Sequence, residues 1–287
     1  MRFLFVMDPA ETMTADKDTT FAFIRGAMAR GHECLHCLPR ELSNEGRDVF
    51  ARARSVKVSA SEPHVVLGAD ERFELAQLDA VFVRKDPPFD AGYLYLTQQL
   101  DLVKDRVFVM NDPRGLRDAN EKLFAFQFLE FMPRTLVSAE PAQISAFVNA
   151  VGGTAVLKPL DGAGGSGVVV LSAGDRNLRS LVDIMTAEGK RLAMVQEYQP
   201  AVRQGDKRVL LLDGEPLGAI LRVPREDDVR ANIHAGGQVQ ACDLTPRERE
   251  MVKAVAPRLR EHGLWFVGLD VIGGRRGRAG HAGVGLA

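Results

Sequence analysis

The sequence predicts an α/β protein, α+β overall, in which a parallel-sheet domain comes first and a nucleotide-binding domain follows. Apolar strand-like segments alternate with helical segments over the first hundred residues, which is typical of βαβ units. A lysine and a glycine-rich loop stand between two further strand-like segments, at 157–171. Asp213-Gly214, a strong turn dipeptide, then joins two apolar runs into a predicted hairpin.

The first part of the chain is predicted to form a parallel sheet with covering helices. Because strands alternate with helices, successive strands should pair in parallel. Residues 40–75 show no decisive pattern and carry no assignment. The predicted strands are 2–6, 32–37, 79–83 and 107–110, and the predicted helices are 18–30 and 93–104.

The second part mixes helices with hairpins. Three domain segments are expected: 1–119 as an N-terminal substrate-binding domain, 120–273 as a nucleotide-binding domain whose lid spans about 120–198, and 274–287 as a tail. The predicted helices are 120–130, 142–149, 177–188 and about 246–262. The predicted strands are 192–197, Lys207–Leu212, Glu215–Val223 and 264–272.

The last fourteen residues differ in composition from the rest. They contain five glycines, three arginines and no carboxylate, and their apolar residues follow no helix or strand period. Such a segment cannot bury a core face, so disorder is expected over 274–287.

Charge and cysteine content exclude several classes of partner. The formal net charge is −1, which gives no reason to expect nucleic acid or an anionic membrane surface. Three cysteines and no signal-peptide pattern indicate the reducing cytoplasm. The apolar start, Met1–Met7, is too short to cross a membrane.

The glycine-rich loop is the strongest functional signal. Lys158 lies at the end of one predicted strand, and the loop after it has the glycine density that allows positive φ and close approach of backbone N–H groups to an anion. Together they indicate a phosphate clamp. The loop residues in question are Gly162, Gly164, Gly165, Ser166 and Gly167.

The strand that follows the loop excludes three other phosphate-binding motifs. A dinucleotide fingerprint must open a helix, but Val168–Leu171 is strand-like. A Walker loop needs a terminal Gly-Lys-Ser/Thr, which is absent. In a protein kinase the lysine comes later, on the next strand.

Polar clusters follow the predicted strands of the first part, where ligand sites of α/β proteins lie. Asp8 follows the first strand, Arg84 and Asp86 follow another, and Asn111-Asp112 follows a third. Their convergence would suit a substrate that carries carboxylates, with Arg84 as its bidentate partner. Solvated turns are the alternative, because Asp and Pro favour turns in any case.

Further polar residues flank the loop. Lys122 would meet nucleotide phosphates, although Asn120 at this point also suits a simple helix cap. Residues 196–198, which are Gln196, Glu197 and Tyr198, end a strand and would offer groups to an adenine edge. An ordinary solvent-facing strand end explains these three residues equally well.

Charged residues within the apolar strands of the predicted hairpin indicate a site, since such charges are costly elsewhere. Arginines without nearby acids suit stabilisation of a transferring phosphate. Asp270 lies in an apolar strand and is expected to bind Mg²⁺, an oxygen-preferring cation. The other residues of this set are Asp206, Arg208, Arg222, Arg230 and Asn232.

From residue 1 to about 273 the sequence resembles the bacterial glutathione synthetase family of ATP-grasp ligases. Several motifs together carry this resemblance, whereas the lysine–glycine loop alone would indicate only the wider superfamily. The motifs are Val6-Met7-Asp8-Pro9, Arg84-Lys85-Asp86-Pro87-Pro88-Phe89-Asp90, Leu116–Leu123, Leu157–Gly165, Gly205–Val209 and Phe266-Val267-Gly268-Leu269-Asp270.

The resemblance implies a fold, a reaction and roles. It implies a pre-ATP-grasp domain followed by an ATP-grasp domain, with ATP as co-substrate and Mg²⁺ (Mn²⁺ as an alternative ion) as cofactor. Its reaction joins γ-glutamylcysteine to glycine through an acyl phosphate, in a cytoplasmic homotetramer. Lys122, Lys158 and the loop would hold phosphates, residues 196–198 would line adenine, and Asp270 would bind the metal. Asp206, Arg208, Arg222, Arg230 and Asn232 would surround the reacting groups.

The sequence departs from the family pattern after Gly273. The family continues with a Glu-Ile-Asn motif that completes the metal site and with a substrate loop, and neither is present here. A shifted reading frame or a truncation is the expected origin of this tail. Two alternatives therefore stay open: another carboxylate–amine ligase of the superfamily, and an ATP-binding protein that lacks catalysis.

Overall fold

The computed structural model describes residues 1–15, 17–162, 164–223, 238–273 and 281–283. The chain divides into two compact units. The first unit is Met1–Asp118 with His262–Trp265, and the second is Ala119–Glu261 with Phe266–Ala287. Among the residues described, no helix has both the length and the apolar character needed to span a membrane.

The first unit contains a seven-stranded sheet in its described residues, in the order β3-β4-β2-β1-β6-β7 with β5 paired to β4. Its strands are β1 (Arg2–Met7), β2 (Glu33–Cys37), β3 (Leu42–Glu45), β4 (Asp48–Val58), β5 (Val65–Glu74), β6 (Ala80–Arg84) and β7 (Phe108–Met110). Its helices are α1 (Thr19–Met28), α2 (Ala91–Asp101) and α3 (Pro113–Asp118).

The predicted parallel core of this sheet is confirmed. Strand β1 pairs in parallel with β2 and β6, and β6 pairs in parallel with β7. Leu4 and Val6 belong to one buried cluster, while Phe5 and Met7 belong to another. Successive side chains of a strand point to opposite faces, so β1 is buried on both faces, as the continuous apolar run at the start indicates.

The unassigned segment 40–75 supplies β3, β4 and β5, all paired in antiparallel fashion. The sheet is therefore mixed rather than purely parallel. Along β4, buried Val49, Ala51 and Ala53 alternate with charged residues such as Arg52. Small alanines carry little strand signal, which explains why this two-residue period was missed.

The second unit contains a four-stranded sheet, β10-β9-β11-β8, and a five-stranded sheet, β14-β13-β12-β15-β16, in its described residues. A 3-10 helix spans Phe124–Phe131. The helices are α4 (Pro141–Ala150), α5 (Leu178–Thr186) and α6 (Pro246–Glu261). The strands are β8 (Thr135–Ser138), β9 (Thr154–Pro159), β10 (Val169–Ser172), β11 (Ala193–Glu197), β12 (Asp206–Leu212), β13 (Glu215–Val223), β14 (Gln238–Cys242), β15 (Phe266–Ile272) and β16 (His281–Gly283).

Two segments of the second unit differ from the prediction. The helix expected at 120–130 is instead a turn followed by the 3-10 helix, with non-helical dihedrals at Phe128. Aromatic residues have modest helix propensity, and here burial of Phe124, Phe128 and Phe131 decides the backbone. Within the tail for which disorder was predicted, His281–Gly283 pair with β15. The rest of 274–287 lies outside the described residues.

Candidate functional site

The glycine-rich loop joins two antiparallel strands, as predicted. Strand β9 pairs with β10, with Leu157 opposite Val169, and the loop lies between their ends. Gly164, Gly165 and Gly167 have φ of 63°, 79° and 70°. These values lie in the left-handed region that residues with a Cβ rarely adopt, so the glycines serve the backbone shape of the loop.

Lys122 holds the start of this loop. Its Nζ donates to the Gly162 carbonyl oxygen at 2.5 Å and pairs with Glu121 Oε1 at 2.6 Å. Asn120 donates to the Leu160 carbonyl at 3.3 Å and accepts from the amide of Lys122 at 3.0 Å. The side chain of Asn120 therefore caps a turn, where the capping alternative predicted a helix start, and it also binds the loop.

Replacing Gly167 by alanine is expected to raise the KM for ATP. The new Cβ would lie 3.1 Å from Pro159 Cγ at a φ of 70°, and left-handed backbone costs about 1–2 kcal/mol for residues with a Cβ. A nucleotide titration with each purified variant measures the change. Gly218→Ala is the matched control, because nothing lies within 4 Å of its Cβ and its φ is not positive. Equal KM values for both variants would contradict the prediction.

Lys158 lies in a partly buried chain of polar side chains across three strands. Its Nζ donates to Gln196 Oε1 at 2.6 Å, and Gln196 Nε2 donates to Thr135 Oγ1 at 3.0 Å. The pKa of Lys158 is lowered to about 8, mainly by burial and in part by the nearby Lys122, while the charges of Asp270 and Glu121 oppose this shift. A partly desolvated ammonium of this kind is well suited to an anionic ligand.

The strand end predicted to line adenine is engaged within the protein. The amide of Glu197 donates to the Arg134 carbonyl at 2.9 Å, and the amide of Tyr198 donates to the Thr154 carbonyl at 3.3 Å. The Gln196 side chain is buried and bonds Lys158. These contacts link the predicted adenine segment directly to the predicted phosphate lysine.

Four charged residues form a connected network on three neighbouring strands, β13, β12 and β15, of the five-stranded sheet. Arg208 binds Asp270 in bidentate fashion, with Nε–Oδ1 at 2.7 Å and Nη2–Oδ2 at 2.6 Å. Arg222 binds both Asp206 oxygens and also reaches Asp270 Oδ1 at 2.8 Å. The register explains the pairing, since β12 places Asp206 opposite Arg222 on β13 and Arg208 opposite Asp270 on β15.

The network is partly buried, because the side chains of Arg208 and Asp270 are 25% and 27% exposed, and its charges depend on one another. Asp206 and Arg222 are 7% and 4% exposed. Burial raises the pKa of Asp206 despite its bond to Arg222. Burial also acts to raise the pKa of Asp270, but Arg208 and Arg222 outweigh it and hold that pKa below the usual value. Asp270 is therefore an ionised carboxylate, as a metal ligand must be.

Two predicted site residues, Arg230 and Asn232, lie outside the described residues. The described part of the second unit thus brings together Lys122, Lys158 and Gln196 around the loop. It also brings together the four residues of the charged network, of which Asp270 acts on the pKa of Lys158.

In the first unit, Asp8 and Asp86 come together at the ends of β1 and β6. Asp8 Oδ2 accepts from the amide of Asp86 at 2.9 Å, and Asp8 Oδ1 lies 3.1 Å from Lys85 Nζ. Burial raises the pKa of Asp86, and the charge of Asp8 raises it further. Asp112, at the end of β7, instead contacts Lys104 at 3.3 Å and Gly263 at 2.9 Å.

Arg84 is held by the first turn of α1. Its Nε donates to Thr20 Oγ1 at 3.1 Å and its Nη2 donates to Thr19 Oγ1 at 2.8 Å. Burial lowers its pKa, while the charges of Asp18 and Asp86 oppose this. The Nε edge of the guanidinium is thus used inside the protein, which restricts how a substrate carboxylate would approach it.

Sequence reasoning missed several residues of these two sites. Thr19 and Thr20 were placed only on a helix, and Thr135 lies on a strand that was not predicted. Tyr93, whose pKa burial raises to about 12, interacts electrostatically with Arg84 and Asp86. Nothing in the sequence pairs these residues with partners up to 65 positions away, so no local signal would have identified them.

Two family models cover nearly the whole chain. Residues 1–117 match the prokaryotic glutathione synthetase N-terminal domain, and residues 121–276 match the prokaryotic glutathione synthetase ATP-grasp domain. Both domains occur in the order that the sequence resemblance implied.

Curated relatives and solved structures agree with these matches. A glutathione synthetase of Synechococcus elongatus is 44% identical over 285 residues, covering 96% of this chain and 88% of the relative. That of Mesorhizobium japonicum is 41% identical, covering 93% and 85%. The crystal structure of D-cycloserine synthetase DcsG superposes with a TM-score of 0.68 at 16% identity, covering 98% of this chain and 89% of that one.

A second solved structure, a RimK domain protein ATP-grasp from Sphaerobacter thermophilus, superposes with a TM-score of 0.63 at 18% identity, covering 98% and 89%. At such low identity the two solved structures bear on the fold alone, and they support the ATP-grasp fold. The family models and the curated relatives go further: the chain belongs to the prokaryotic glutathione synthetase family.

Proposed function

We propose that the chain is an ATP-dependent ligase that joins γ-glutamylcysteine to glycine, giving glutathione, ADP and phosphate. The match to both family domains over 1–117 and 121–276 carries this proposal. The geometry supports it, because a glycine loop with two lysines and a network of arginines and carboxylates lie in the same unit.

The nucleotide is assigned to the second unit. Lys122 and Lys158 bind ATP phosphates, and residues 162–167 cover them with backbone N–H groups. Gln196, Glu197 and Tyr198 line the adenine. The 2.6 Å hydrogen bond between Lys158 and Gln196 supports this assignment, because it connects a residue proposed to bind the phosphates with a residue proposed to line the adenine.

The chemistry proceeds in two displacements. The cysteinyl carboxylate oxygen attacks the γ-phosphorus and ADP leaves, after which the glycine nitrogen attacks the acyl carbon and phosphate leaves. Arg208, Arg222 and Arg230 offset the charge on the transferring oxygens, while Asn232 and Asp206 orient the reacting groups. Positioning and charge are sufficient for this reaction, so no enzyme nucleophile is required.

Asp270 is the residue proposed to hold Mg²⁺, with Mn²⁺ as an alternative ion. Mg²⁺ is usually held by one or two carboxylates together with phosphate oxygens and water, and the ionised Asp270 fits that donor set. Asp270 would be a single protein ligand, because the described residues contain no group of three or more histidine, cysteine, aspartate or glutamate side chains placed to hold a metal ion. The ion would neutralise charge on the phosphates, and Asp270 would exchange a guanidinium contact for it.

The acid substrate is assigned to the first unit. Asp8, Arg84 and Asp86 supply one cation and two carboxylates at two adjacent strand ends, a set that suits a peptide with an amine and carboxylates. Assembly as a homotetramer is proposed from the family resemblance, and a cytoplasmic location is proposed from the low cysteine content. Light scattering on the purified protein and fractionation of the source cells test these two points.

The direct test is ADP release from the purified chain with γ-glutamylcysteine, glycine and Mg²⁺, with omission of each substrate as a control. The proposal requires release only when both substrates are present, with glutathione detected as the product. No release with this pair, but release with another acid–amine pair, would select a different ligase of the superfamily.

One observation favours a second candidate, an ATP-binding protein without turnover. Both oxygens of Asp270, the proposed metal ligand, already contact Arg208 or Arg222 within the protein. ATP binding by calorimetry, together with no ADP release at saturating Mg²⁺ with any acid–amine pair, would select this candidate.

ATP affinity is expected to depend on pH through Lys158. Its pKa of about 8 in the free protein means that the ammonium loses its proton, and its attraction for phosphate, as the pH rises through that value. The KM for ATP, measured across this range, should therefore rise. Lys158→Arg stays protonated and should show a flatter profile. The same rise in both proteins would assign the titration to another group.

A further inference from the structure

His36 on β2 is a buried histidine that the proposed reaction does not use. It is 0% exposed, and its Nε2 lies 3.1 Å from the carbonyl oxygen of Asp8. Its Nδ1 has no hydrogen-bond partner among the residues described. The single polar contact made by this ring is therefore with the backbone of a proposed substrate-binding residue.

The contact fixes the tautomer of the ring. A carbonyl oxygen only accepts, so Nε2 must carry the proton and donate it to Asp8. The other tautomer would bury an N–H without a partner and would also turn a nitrogen lone pair towards the carbonyl oxygen. Burial lowers the pKa of His36, which favours the same neutral form.

Asp8 in turn organises the end of β6. It is the first residue after β1, and the last register pair between β1 and β2 is Val6 with Cys37. The Asp8 carboxylate accepts from the amide of Asp86 at 2.9 Å and lies 3.1 Å from Lys85 Nζ. A bond from His36 to the Asp8 carbonyl holds the backbone that aims this carboxylate.

We propose that His36 is a positioning residue of the acid-substrate site, acting through Asp8 and not on the substrate itself. The inference rests on the proposed function, since it assumes that Asp8 and Asp86 bind the acid substrate. In this role the position of Nε2 matters, because it donates the hydrogen bond to Asp8. In a packing role only the volume of the ring would matter.

Two carboxamide variants separate these roles. In His36→Gln the amide nitrogen is as many bonds from Cβ as Nε2 and can donate to Asp8, whereas in His36→Asn it is one bond too short. We expect His36→Asn to raise the KM for γ-glutamylcysteine roughly 3- to 10-fold, the loss of one hydrogen bond, with kcat and the KM for ATP little changed. His36→Gln should restore the wild-type KM. Equal effects of both variants would overturn the proposal.

A second measurement does not depend on turnover. Hydrogen exchange, followed by NMR at the amide of Asp86, reports the bond from this amide to the Asp8 carboxylate, and mass spectrometry over residues 84–90 reports it together with the amides of its non-proline neighbours. Exchange there should be faster in His36→Asn than in His36→Gln and wild type. Unchanged exchange in His36→Asn overturns the proposal. If the wild type forms no glutathione, the proposed function fails while this exchange comparison still decides the role of His36.

Cys34→Ala is the control for general loss of packing. Cys34 is 3% exposed on the same strand, and its Sγ lies 3.9 Å from the carbonyl oxygen of Ile24, not near Asp8. This variant should lower the thermal stability without faster exchange at residues 84–90. If exchange is faster in Cys34→Ala to the same extent as in His36→Asn, destabilisation of β2 explains both variants and the proposal is overturned.

Discussion

Replacing Lys158 by methionine is expected to reduce ADP release about 100-fold or more, the usual effect of removing one group that stabilises developing charge. The Lys158 side chain is partly buried and its pKa is lowered to about 8, so the ammonium is less hydrated than that of a surface lysine before the nucleotide binds. An anion that meets such a cation displaces little water, and the interaction is correspondingly strong. Methionine keeps the unbranched shape and removes only the charge and the donor.

Steady-state ADP release and ATP binding by calorimetry measure this effect. Lys190→Met is the matched control, because the Lys190 side chain is 79% exposed and lies in the same unit. The unfolding free energy of Lys158→Met should change little, since the lost bond to Gln196 and the relieved burial of the ammonium oppose each other. Wild-type turnover and ATP affinity in Lys158→Met would remove Lys158 from the nucleotide site.

Replacing Arg222 by methionine is expected to lower the unfolding free energy by about 3–5 kcal/mol, as for other buried ion pairs that lose one partner. Arg222 is 4% exposed and binds the carboxylates of both Asp206 and Asp270. Without it, the 7% exposed Asp206 loses its cation while it stays buried. Because Arg222 is also proposed to stabilise the transferring phosphate, ADP release should fall in the same variant.

Urea unfolding measures the stability change. Adding Asp206→Asn to Arg222→Met should recover part of the loss, because the uncompensated charge is then removed. The loss of unfolding free energy caused by Arg222→Met should also become smaller as the pH falls. The pKa of Asp206 is already raised by burial and would rise further without Arg222, so the buried carboxylate takes up a proton and loses its uncompensated charge. Arg179→Met is the control, since the Arg179 side chain is 84% exposed and its i,i+4 pair with Asp183 is of the surface kind that contributes about 0–1 kcal/mol. A loss for Arg222→Met no larger than that of the control would contradict a role for the network in stability.

The described elements near the glycine loop could be predicted because their signals are local. The strand–loop–strand arrangement needed only the position of Lys158 and the glycine spacing, and the structure confirms it with positive φ at Gly164, Gly165 and Gly167. The capping role of Asn120 was also visible, because a cap binds amides two and three residues ahead. By contrast, β4 was missed, since its alternation uses alanines whose weak strand signal is decided by cross-strand packing.

The sequence by itself determined the family and the order of the two domains in the family models, and it predicted residue types for a phosphate site and a metal site. Those conclusions rest on motifs a few residues long, within which backbone preference and charge act directly. Tertiary structure alone decided that Lys158 bonds Gln196, that Arg222 lies between Asp206 and Asp270, and that His36 holds the Asp8 backbone. The physical reason is that each of these contacts joins residues 16 to 48 positions apart, which lie on different strands or, for Asp8, directly after one, so only the sheet register brings them within hydrogen-bond distance.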